Sequence, residues 1–205
     1  MEKNLKRMAT MHRMQTMGLE LFYQRGYYNT SIDYILKELS LSKGGFYYHF
    51  KSKEEYLISI IQQLIVPKVY SDLVEPIERK EDPLTIIANT IEQSLETAEH
   101  NELDYGFVVS NFITEFNRRN TEIMLYLNDT LKMWEVSLIT ALQKGKSDGY
   151  VDRHTDSDAV ATYIISSYCG IRTIMVEGNC RILRFKYMQQ LRHYFKSIAH
   201  KEILS

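Results

Sequence analysis

The sequence contains few of the residues that interrupt or crosslink a chain. Its 205 residues include only three prolines, Pro67, Pro76 and Pro83, and two cysteines, Cys169 and Cys180. Because proline bends or ends helices, its scarcity leaves long stretches free to be helical. Two cysteines do not form a disulfide framework in a chain of this length, so we expect reduced thiols in a cytosolic protein. The spacing of the two cysteines in the sequence does not indicate whether they have a redox role.

Long apolar runs are also lacking. No run approaches the roughly 20 residues that a membrane span needs, and the amino terminus lacks the apolar core of a signal peptide. Segments that alternate apolar and polar residues with period two are rare, whereas Leu, Ile, Met, Glu and Lys abound. These residues favour helices. The sequence therefore predicts an all-α, cytoplasmic protein without a membrane partner.

Signatures of catalysis are missing from the sequence. The six histidines match no zinc-binding spacing, and there is no nucleophile elbow, glycine-rich phosphate loop or Cys-His pattern. We therefore expect no enzyme activity, no metal site and no cofactor.

The formal net charge of −1 does not suggest a nucleic-acid partner, but the charge is unevenly distributed. Residues 1–53 contain nine Lys and Arg against four Asp and Glu, whereas residues 54–205 contain 16 against 22. A basic end on an acidic body is typical of a DNA-binding domain joined to a second domain. We predict a boundary at residue 53, with the DNA-binding domain at 1–53.

The stretch from Thr30 to Lys53 predicts a helix-turn-helix. Its first half repeats apolar residues at the spacing of one helix face: Ile32, Ile35, Leu36 and Leu39. Thr30 or Ser31 precedes this helix as an N-cap, and Ser42 is placed to cap a second helix after a short turn. Two helices joined in this way place the second one in the DNA major groove. Ser52, followed by Glu55, forms a capping box for a third helix.

The second helix presents candidates for DNA contact, because Phe46 and Phe50 are four residues apart and pack inward. We expect phosphate contacts from Thr30, Tyr48, His49, Lys51 and Lys53. We expect the bases to face Lys43, Gly44, Gly45 and Tyr47, since lysine donates to guanine and tyrosine packs on the thymine methyl group. Glycine has no side chain that could contact a base, so we expect part of the sequence specificity to come from DNA shape. The open alternative is that the Tyr-Tyr-His triplet forms a packed aromatic layer.

Two segments resemble the DNA-binding domain of the TetR family of bacterial transcriptional regulators. They are LFYQRGYYNTS (Leu21 to Ser31) and ILKELSLSKGGFYYHFKSKEEYL (Ile35 to Leu57). The sequence departs from the family pattern at Ser40, where glycine is common, and at Leu36, where a small residue is usual. The resemblance implies a dimeric, ligand-responsive regulator, most often a repressor, that binds a palindromic operator on double-stranded DNA.

Apolar periodicity predicts further helices, giving about nine in all. They lie at about 4–25, 53–75, 83–99, 105–118, 120–147, 155–176 and 180–201. Gly26 is placed to end the first as a left-handed cap, and Thr155 with Asp158 is a capping-box candidate. The polar segment between Glu75 and Pro83 is predicted to be a loop. We assign the helix at about 53–75 as a lever between the two domains.

The last two helices carry more apolar surface than solvent-facing helices need. From the residues alone, this pair is either a dimer interface or the centre of the protein's own core. The family resemblance favours a homodimer, with these interface residues: Ile164, Tyr168, Ile171, Met175, Leu191 and Phe195.

The resemblance also implies that residues 54–205 bind an unknown small-molecule effector that moves the lever helix. The candidate ligand-binding residues are Phe112, Phe116, Trp134 and Tyr168, although aromatics at helical spacing are also typical of a core. A second hypothesis, from a different class, is a helical small-molecule carrier or enzyme that uses the amino-terminal motif as an interaction surface.

Overall fold

The computed structural model describes residues 2–79, 81–99, 106–175 and 180–200. Within these ranges it contains nine helices and no strand, apart from an isolated antiparallel bridge between Val151 and Ala199. The predicted all-α fold with about nine helices is confirmed. The helices are α1 (Glu2–Arg25), α2 (Ile32–Leu39), α3 (Lys43–His49), α4 (Lys53–Glu78), α5 (Pro83–Glu99), α6 (Val108–Phe116), α7 (Thr121–Ser147), α8 (Ser157–Ile174) and α9 (Cys180–Ile198).

Local side-chain chemistry sets the ends of α1 to α4 much as the sequence predicts. Gly26, with φ of +82°, ends α1. The hydroxyl oxygens of Ser31, Ser42 and Ser52 accept backbone N–H groups of the first turns of α2, α3 and α4 at 3.1, 3.2 and 3.0 Å. The Glu55 carboxylate completes the third cap by accepting the Lys51 N–H at 2.8 Å. These caps satisfy donors that have no partner within the helix.

Ser40 ends α2 in the left-handed conformation, with φ of 54° and ψ of 42°. Its N–H reaches the Lys37 carbonyl at 3.1 Å, and the Leu41 N–H reaches the Leu36 carbonyl at 2.9 Å. This is the hydrogen-bond pattern of a Schellman turn, in which glycine is preferred because a Cβ atom is strained at positive φ. Ser40 therefore keeps the turn geometry at a cost in strain.

Helix α4 continues past Pro67 instead of ending there. Two π-helical segments, Ile61–Ile65 and Tyr70–Val74, lie on either side of this proline, and a 3₁₀ turn, Glu75–Glu78, follows. Proline lacks the N–H of a helical hydrogen bond, and its ring presses on the carbonyl four residues earlier, here within the first π segment. The 3₁₀ turn also corrects the prediction that the chain is already a loop at Glu75.

The predicted start of α8 is wrong by a residue or two. The cap is Asp156, not Thr155, and its carboxylate accepts the N–H groups of Asp158 and Ala159 at 3.0 and 3.1 Å. A carboxylate satisfies two amides at once and suits the positive end of the helix dipole. The helix therefore begins at Ser157, and at its other end Met175 lies just beyond Ile174.

Backbone contacts divide the chain into two compact units. The first contains Met1–Pro67 and Val108–Asp129, and the second contains Lys68–Phe107 and Thr130–Ser205. This grouping was not expected from the sequence, which suggested a single division at residue 53. The first unit has an aromatic core formed by Phe22, Phe46, Phe50 and Tyr56.

Within the second unit, α9 packs against both α5 and α8. Arg192 pairs with Glu92 at 2.5 Å across α9 and α5. Tyr163 lies 4.8 Å from Tyr194, between ring centroids, across α8 and α9. The buried core residues of this unit include Trp134, Leu138, Leu142, Ile164, Tyr168, Met188, Leu191 and Phe195.

By length and composition alone, α4 is apolar enough to cross a membrane. This differs from the expectation from sequence, because one continuous helix joins apolar stretches on both sides of Pro67. The same property is typical of a core helix in a soluble protein, and α4 buries Ile60, Ile61, Leu73 and Val74 within the structure.

Candidate nucleic-acid interface

Helices α2 and α3 form a helix-turn-helix in which one face of α3 packs on the protein core and the other face is exposed. Phe46 is fully buried and packs on Phe50 and Tyr56 at centroid distances of 5.5 and 5.2 Å. Tyr47 and Tyr48 lie outside this aromatic contact and remain 56% and 68% exposed. The alternative of a fully packed Tyr-Tyr-His layer therefore does not hold for the two tyrosines, and their side chains are available to a ligand.

Gly44 and Gly45 leave the amino-terminal part of α3 bare. A Cβ atom built on either would have only the Ser42 hydroxyl near it, at 4.0 Å from Gly44 and 3.5 Å from Gly45. Neither glycine is required by neighbouring protein atoms or by a positive φ. Because neither residue has a side chain, another molecule can approach the backbone of α3 closely.

Lys43 is exposed but is held by an ion pair between α2 and α3. Its ammonium lies 2.9 Å from Asp33 Oδ1 and 3.0 Å from Oδ2. The hydrogen bond and charge of Asp33 raise the pKa of Lys43, so the group stays protonated at neutral pH. The sequence did not reveal Asp33 as the partner of Lys43, because ten residues separate the two and only the turn brings them together.

His49 and Lys51 lie at the carboxyl end of α3. The His49 ring is half-buried against Tyr48 and Phe50, and its Nδ1 atom is buried without a hydrogen-bond partner in the described part of the chain. Burial, with a smaller contribution from Arg7, lowers the pKa of His49. The Lys51 side chain is exposed, as expected for a residue that binds phosphate.

The structure contradicts the predicted role of Thr30. Its side chain is only 1% exposed, and its hydroxyl donates to the Gly26 carbonyl at 2.8 Å. The hydroxyl thus ties the start of α2 to the end of α1 and is buried. Ser31, the N-cap, is the exposed residue of this pair.

Lys53 also turns inward, contrary to prediction. Its ammonium donates to the Tyr27 carbonyl and lies 3.8 Å from the centroid of the Tyr27 ring. Burial lowers the pKa of Lys53, whereas the Glu115 carboxylate acts in the opposite direction. Sequence spacing does not reveal this contact, because residues 27 and 53 meet only in the folded unit.

Arg7 adds a cation to this surface. Its guanidinium lies 5.4 Å from the centroid of the exposed Tyr48 ring, an arrangement that leaves both groups accessible. The signal for this cation in the sequence is the charged segment at the start of α1. The side chains of Lys3 and Lys6 in the same segment lie outside the described residues.

The loop between α1 and α2 is held by α6 through contacts that the sequence did not reveal. The Tyr28 N–H donates to Glu115 Oε1 at 3.0 Å, and the Arg119 guanidinium lies 5.3 Å from the Tyr28 ring centroid. Phe116 packs on Tyr27 at a centroid distance of 4.9 Å. Phe116 is therefore part of the packing around the helix-turn-helix, and this packing explains its burial without a bound ligand.

The other candidate ligand-binding residues are buried as well. Phe112 packs on Phe116, with ring centroids 6.2 Å apart. Trp134 and Tyr168 pack on each other at 5.2 Å and are 0% and 1% exposed. Among the residues that the structure describes, no three His, Cys, Asp or Glu side chains are grouped as a metal site.

The predicted dimer residues lie in the wrong place for an interface. All six are buried inside the protomer: Ile164, Tyr168, Ile171, Met175, Leu191 and Phe195. Helical periodicity identified an apolar face correctly but did not show that the face points into the protein's own core. Besides Asp158, Tyr163 and Ile174, the exposed positions of α8 carry small residues: Ala159, Thr162, Ser166, Gly170 and Thr173.

Comparisons with known proteins agree with this architecture. The family model described as bacterial regulatory proteins, tetR family, matches residues 17–60. The transcriptional repressor DhaR of Mycobacterium sp. (strain GP1) is 24% identical over 170 residues, which cover 79% of this chain and 80% of that protein.

Two solved structures show the same fold. A TetR transcriptional regulator from Chloroflexus aurantiacus J-10-FL superposes with a TM-score of 0.83 at 23% identity, covering 95% of this chain and 98% of that one. FadR from Bacillus subtilis, solved in complex with stearoyl-CoA, gives a TM-score of 0.68 at 18% identity and covers 88% and 96%.

The match at residues 17–60 includes α2, the turn and α3, the elements that carry the exposed candidate residues. The family assignment made from the sequence motifs is confirmed. Residues 17–60 match the bacterial regulatory proteins of the tetR family, and the chain is a DNA-binding transcriptional regulator with the fold of a TetR regulator.

Proposed function

We propose that the protein is a cytoplasmic repressor that binds a palindromic operator as a homodimer and releases it when a small molecule binds residues 54–205. The observation that carries the proposal is the surface of α3, where Tyr47 and Tyr48 are exposed above the buried Phe46. A short helix that is anchored on one side and open on the other fits the major groove.

The DNA contacts that we propose are fewer than those expected from the sequence. Lys43 and Tyr47 face the bases, and Gly44 and Gly45 allow close approach. Tyr48, His49 and Lys51 contact phosphates, with Arg7 as an additional cation. Thr30 and Lys53 act indirectly, because their side chains hold α1, α2 and α4 together around the same surface.

A homodimer is part of the proposal because one α3 helix offers too little contact for tight binding. Two copies related by a two-fold axis place two such helices about 34–36 Å apart, the repeat of successive major grooves on one side of the duplex. The exposed side of α8 supports this arrangement, since its small residues allow a second helix to approach closely. Ile174 and Ile182 are 58% and 54% exposed and add apolar area on the same helix pair.

The contacts of α6 support a route by which an effector acts on the DNA-binding surface. Glu115 and Phe116 hold the loop that enters α2, and Lys53 at the start of α4 holds the same loop through the Tyr27 carbonyl. A shift of α6 or α4 would therefore displace the loop and α2. The π segments of α4 are local departures from α-helical geometry, which often occur at functional sites. FadR, which has the same fold, binds stearoyl-CoA.

The substitution Gly45→Glu tests the DNA-binding surface. A glutamate three residues after Ser42 completes a capping box, so we expect α3 to remain folded. The added carboxylate faces the phosphates, and we expect DNA affinity to fall on the order of a hundredfold or more, because like charges in an interface cost several kcal/mol. Binding is measured by gel shift against a duplex selected from a random library with the unmodified protein.

Gly45→Gln is the matched control, since it has the same size and capping ability without the charge. We expect it to retain much more of the affinity than the glutamate variant. Unchanged binding by Gly45→Glu would disprove the placement of α3 against DNA. The alternative of a carrier or enzyme predicts that no palindrome is selected from the library and that binding, if any, is the same for all duplexes.

A further inference from the structure

Trp134 has an unusual environment for a core residue. Its side chain is 0% exposed, yet the indole Nε1 atom has no hydrogen-bond partner among the residues that the structure describes. Buried polar groups are nearly always hydrogen-bonded, because an unsatisfied donor loses its interactions with water and gains nothing in return. A phenylalanine or leucine would fill a core position without leaving such a donor.

The neighbours of Trp134 form an aromatic cluster. The rings of Phe107 and Tyr168 lie 6.4 and 5.2 Å from the indole, between centroids, both close to edge-on. Phe107 and Tyr168 are 5.3 Å apart and nearly perpendicular. The indole is therefore packed beside aromatic rings in a buried environment, where a hydrogen bond is stronger than it is in water.

The other polar groups of the cluster have partners within the protein. The Tyr168 hydroxyl is 2.7 Å from the Ser94 hydroxyl and accepts a hydrogen bond from Arg172 Nη1 at 2.9 Å. Arg172 Nη2 donates to the Gly106 carbonyl at 2.8 Å. This network fixes the Tyr168 ring beside the indole while the indole donor itself stays unused.

A surface cleft lies one side chain away from this cluster. It has a volume of about 540 Å³, within the size range of small-molecule sites, and Ser94 is part of its wall. The cleft is also lined by Lys68, Ser71, Asp72 and Glu75 of α4. Ser94 links this cleft to the cluster through its hydrogen bond with Tyr168, and the cleft also lies against the second π segment of α4.

We propose that the Trp134 indole N–H is the hydrogen-bond donor for the effector, and that the effector is an apolar molecule with a neutral oxygen acceptor such as a carbonyl. The class follows from the groups present: indole donates and does not accept, and the surrounding rings favour apolar surface. The inference rests on the proposed ligand response and specifies its chemistry.

The experiment uses the full chain and two probes of matched shape. Acetophenone carries a carbonyl acceptor, and cumene has nearly the same shape without one. Trp134 is the only tryptophan in the sequence, so a ¹⁵N-labelled sample gives a single indole N–H resonance. We expect acetophenone to shift the indole proton downfield and, by calorimetry, to bind at least tenfold more tightly than cumene.

Trp134→Phe should abolish the preference, so that the two probes bind alike, with the melting temperature unchanged or raised. Phe107→Leu is the control, since it alters the cluster but keeps the donor and should retain the preference. The proposal is overturned if the wild-type protein binds both probes equally, if it binds neither, or if the indole proton does not move.

A drop of several degrees in the melting temperature of Trp134→Phe would also overturn the proposal, because it would reveal a structural partner for the indole. The operator affinity of the same variants separates this inference from the proposed function. If the wild-type protein selects no operator, the proposed function fails, whereas the choice between the two probes depends on Trp134 alone.

Discussion

Helices α3 and α8 are both central to the proposed function, but they relate to the protein interior in opposite ways. Helix α3 buries one side chain, Phe46, whereas α8 buries six residues, among them Ile164, Tyr168 and Ile171. A helix held by one anchor and a cap can change its outer residues with little effect on folding. A helix with a continuous buried face cannot, because each substitution there leaves a cavity or a strained contact.

The two faces of α8 provide the test with the largest expected effect. Ile164 is fully buried, so Ile164→Ala should lower the free energy of unfolding by about 2–5 kcal/mol in urea titrations. Apart from the neighbouring backbone of α8 itself, no atom of the described residues would lie within 4 Å of a Cβ atom added to Gly170. Gly170→Lys should therefore leave the protomer folded but dissociate the dimer in sedimentation experiments.

Asn128→Lys is the control for the added charge, since it changes an exposed position of α7. It should remain dimeric. A Gly170→Lys protein that sediments as a dimer at micromolar concentration would show that the exposed side of α8 is not the interface.

Lys53 and Lys51 are two residues apart at the end of the helix-turn-helix, but only one points outward. Lys53→Ala removes a hydrogen bond and a cation–π contact to Tyr27, and we expect a loss of about 1–3 kcal/mol in unfolding free energy. Lys51→Ala removes an exposed cation. It should leave stability unchanged, weaken binding to all DNA sequences alike and reduce the slope of affinity against salt by about 1.

Equal stability of the two variants in urea would contradict the inward orientation of Lys53. An unchanged salt slope for Lys51→Ala would contradict its phosphate contact.

The turn between α2 and α3 offers a smaller effect of the opposite sign. Because Ser40 has a φ of 54°, Ser40→Gly should relieve strain and raise the free energy of unfolding by roughly 0.5–1 kcal/mol. Ser40→Ala, which keeps a Cβ atom, should give no such gain. A Ser40→Gly protein that is less stable in urea than the wild type would show that the Ser40 hydroxyl, not the turn geometry, matters here.

His49, at the end of α3, should give the smallest effect, and it depends on pH. Burial lowers the His49 pKa below its ordinary value of 6.5, so the folded protein binds this proton less readily than the unfolded chain does. The contribution to stability is present above the ordinary pKa and is lost as the pH falls below it.

The melting temperature should therefore fall more between about pH 7.5 and pH 5.5 in the wild type than in His49→Gln, which has no titrating group at this position. Parallel pH profiles for the two proteins would show that His49 is not desolvated in the folded state.

The sequence predicted best those features that depend on near neighbours. The serine caps of α2, α3 and α4, the glycine at the end of α1 and the inward position of Phe46 each depend on residues within one or two helical turns. The cap of α8 was misplaced by one residue, because Thr155 and Asp156 are both good caps and their backbone geometry decides between them.

The predictions that failed depended on which other part of the folded protein a side chain contacts. Thr30 and Lys53 have the right chemistry for phosphate contact, but their polar groups are used by the Gly26 and Tyr27 carbonyls. The six proposed dimer residues were correctly identified as apolar, yet a period of 3.6 residues does not distinguish a protein's own core from a partner's surface.

The sequence by itself determined the helices, the caps of the helix-turn-helix and the identity of the DNA-binding motif, because capping, periodicity and turn chemistry act over a few residues. Only the tertiary structure decided which cations of the helix-turn-helix are exposed, which face of α8 is buried, and that α6 holds the loop before α2. These outcomes depend on contacts between residues far apart in the chain, where the geometry of packing, not residue type, selects the partner of each polar or apolar group.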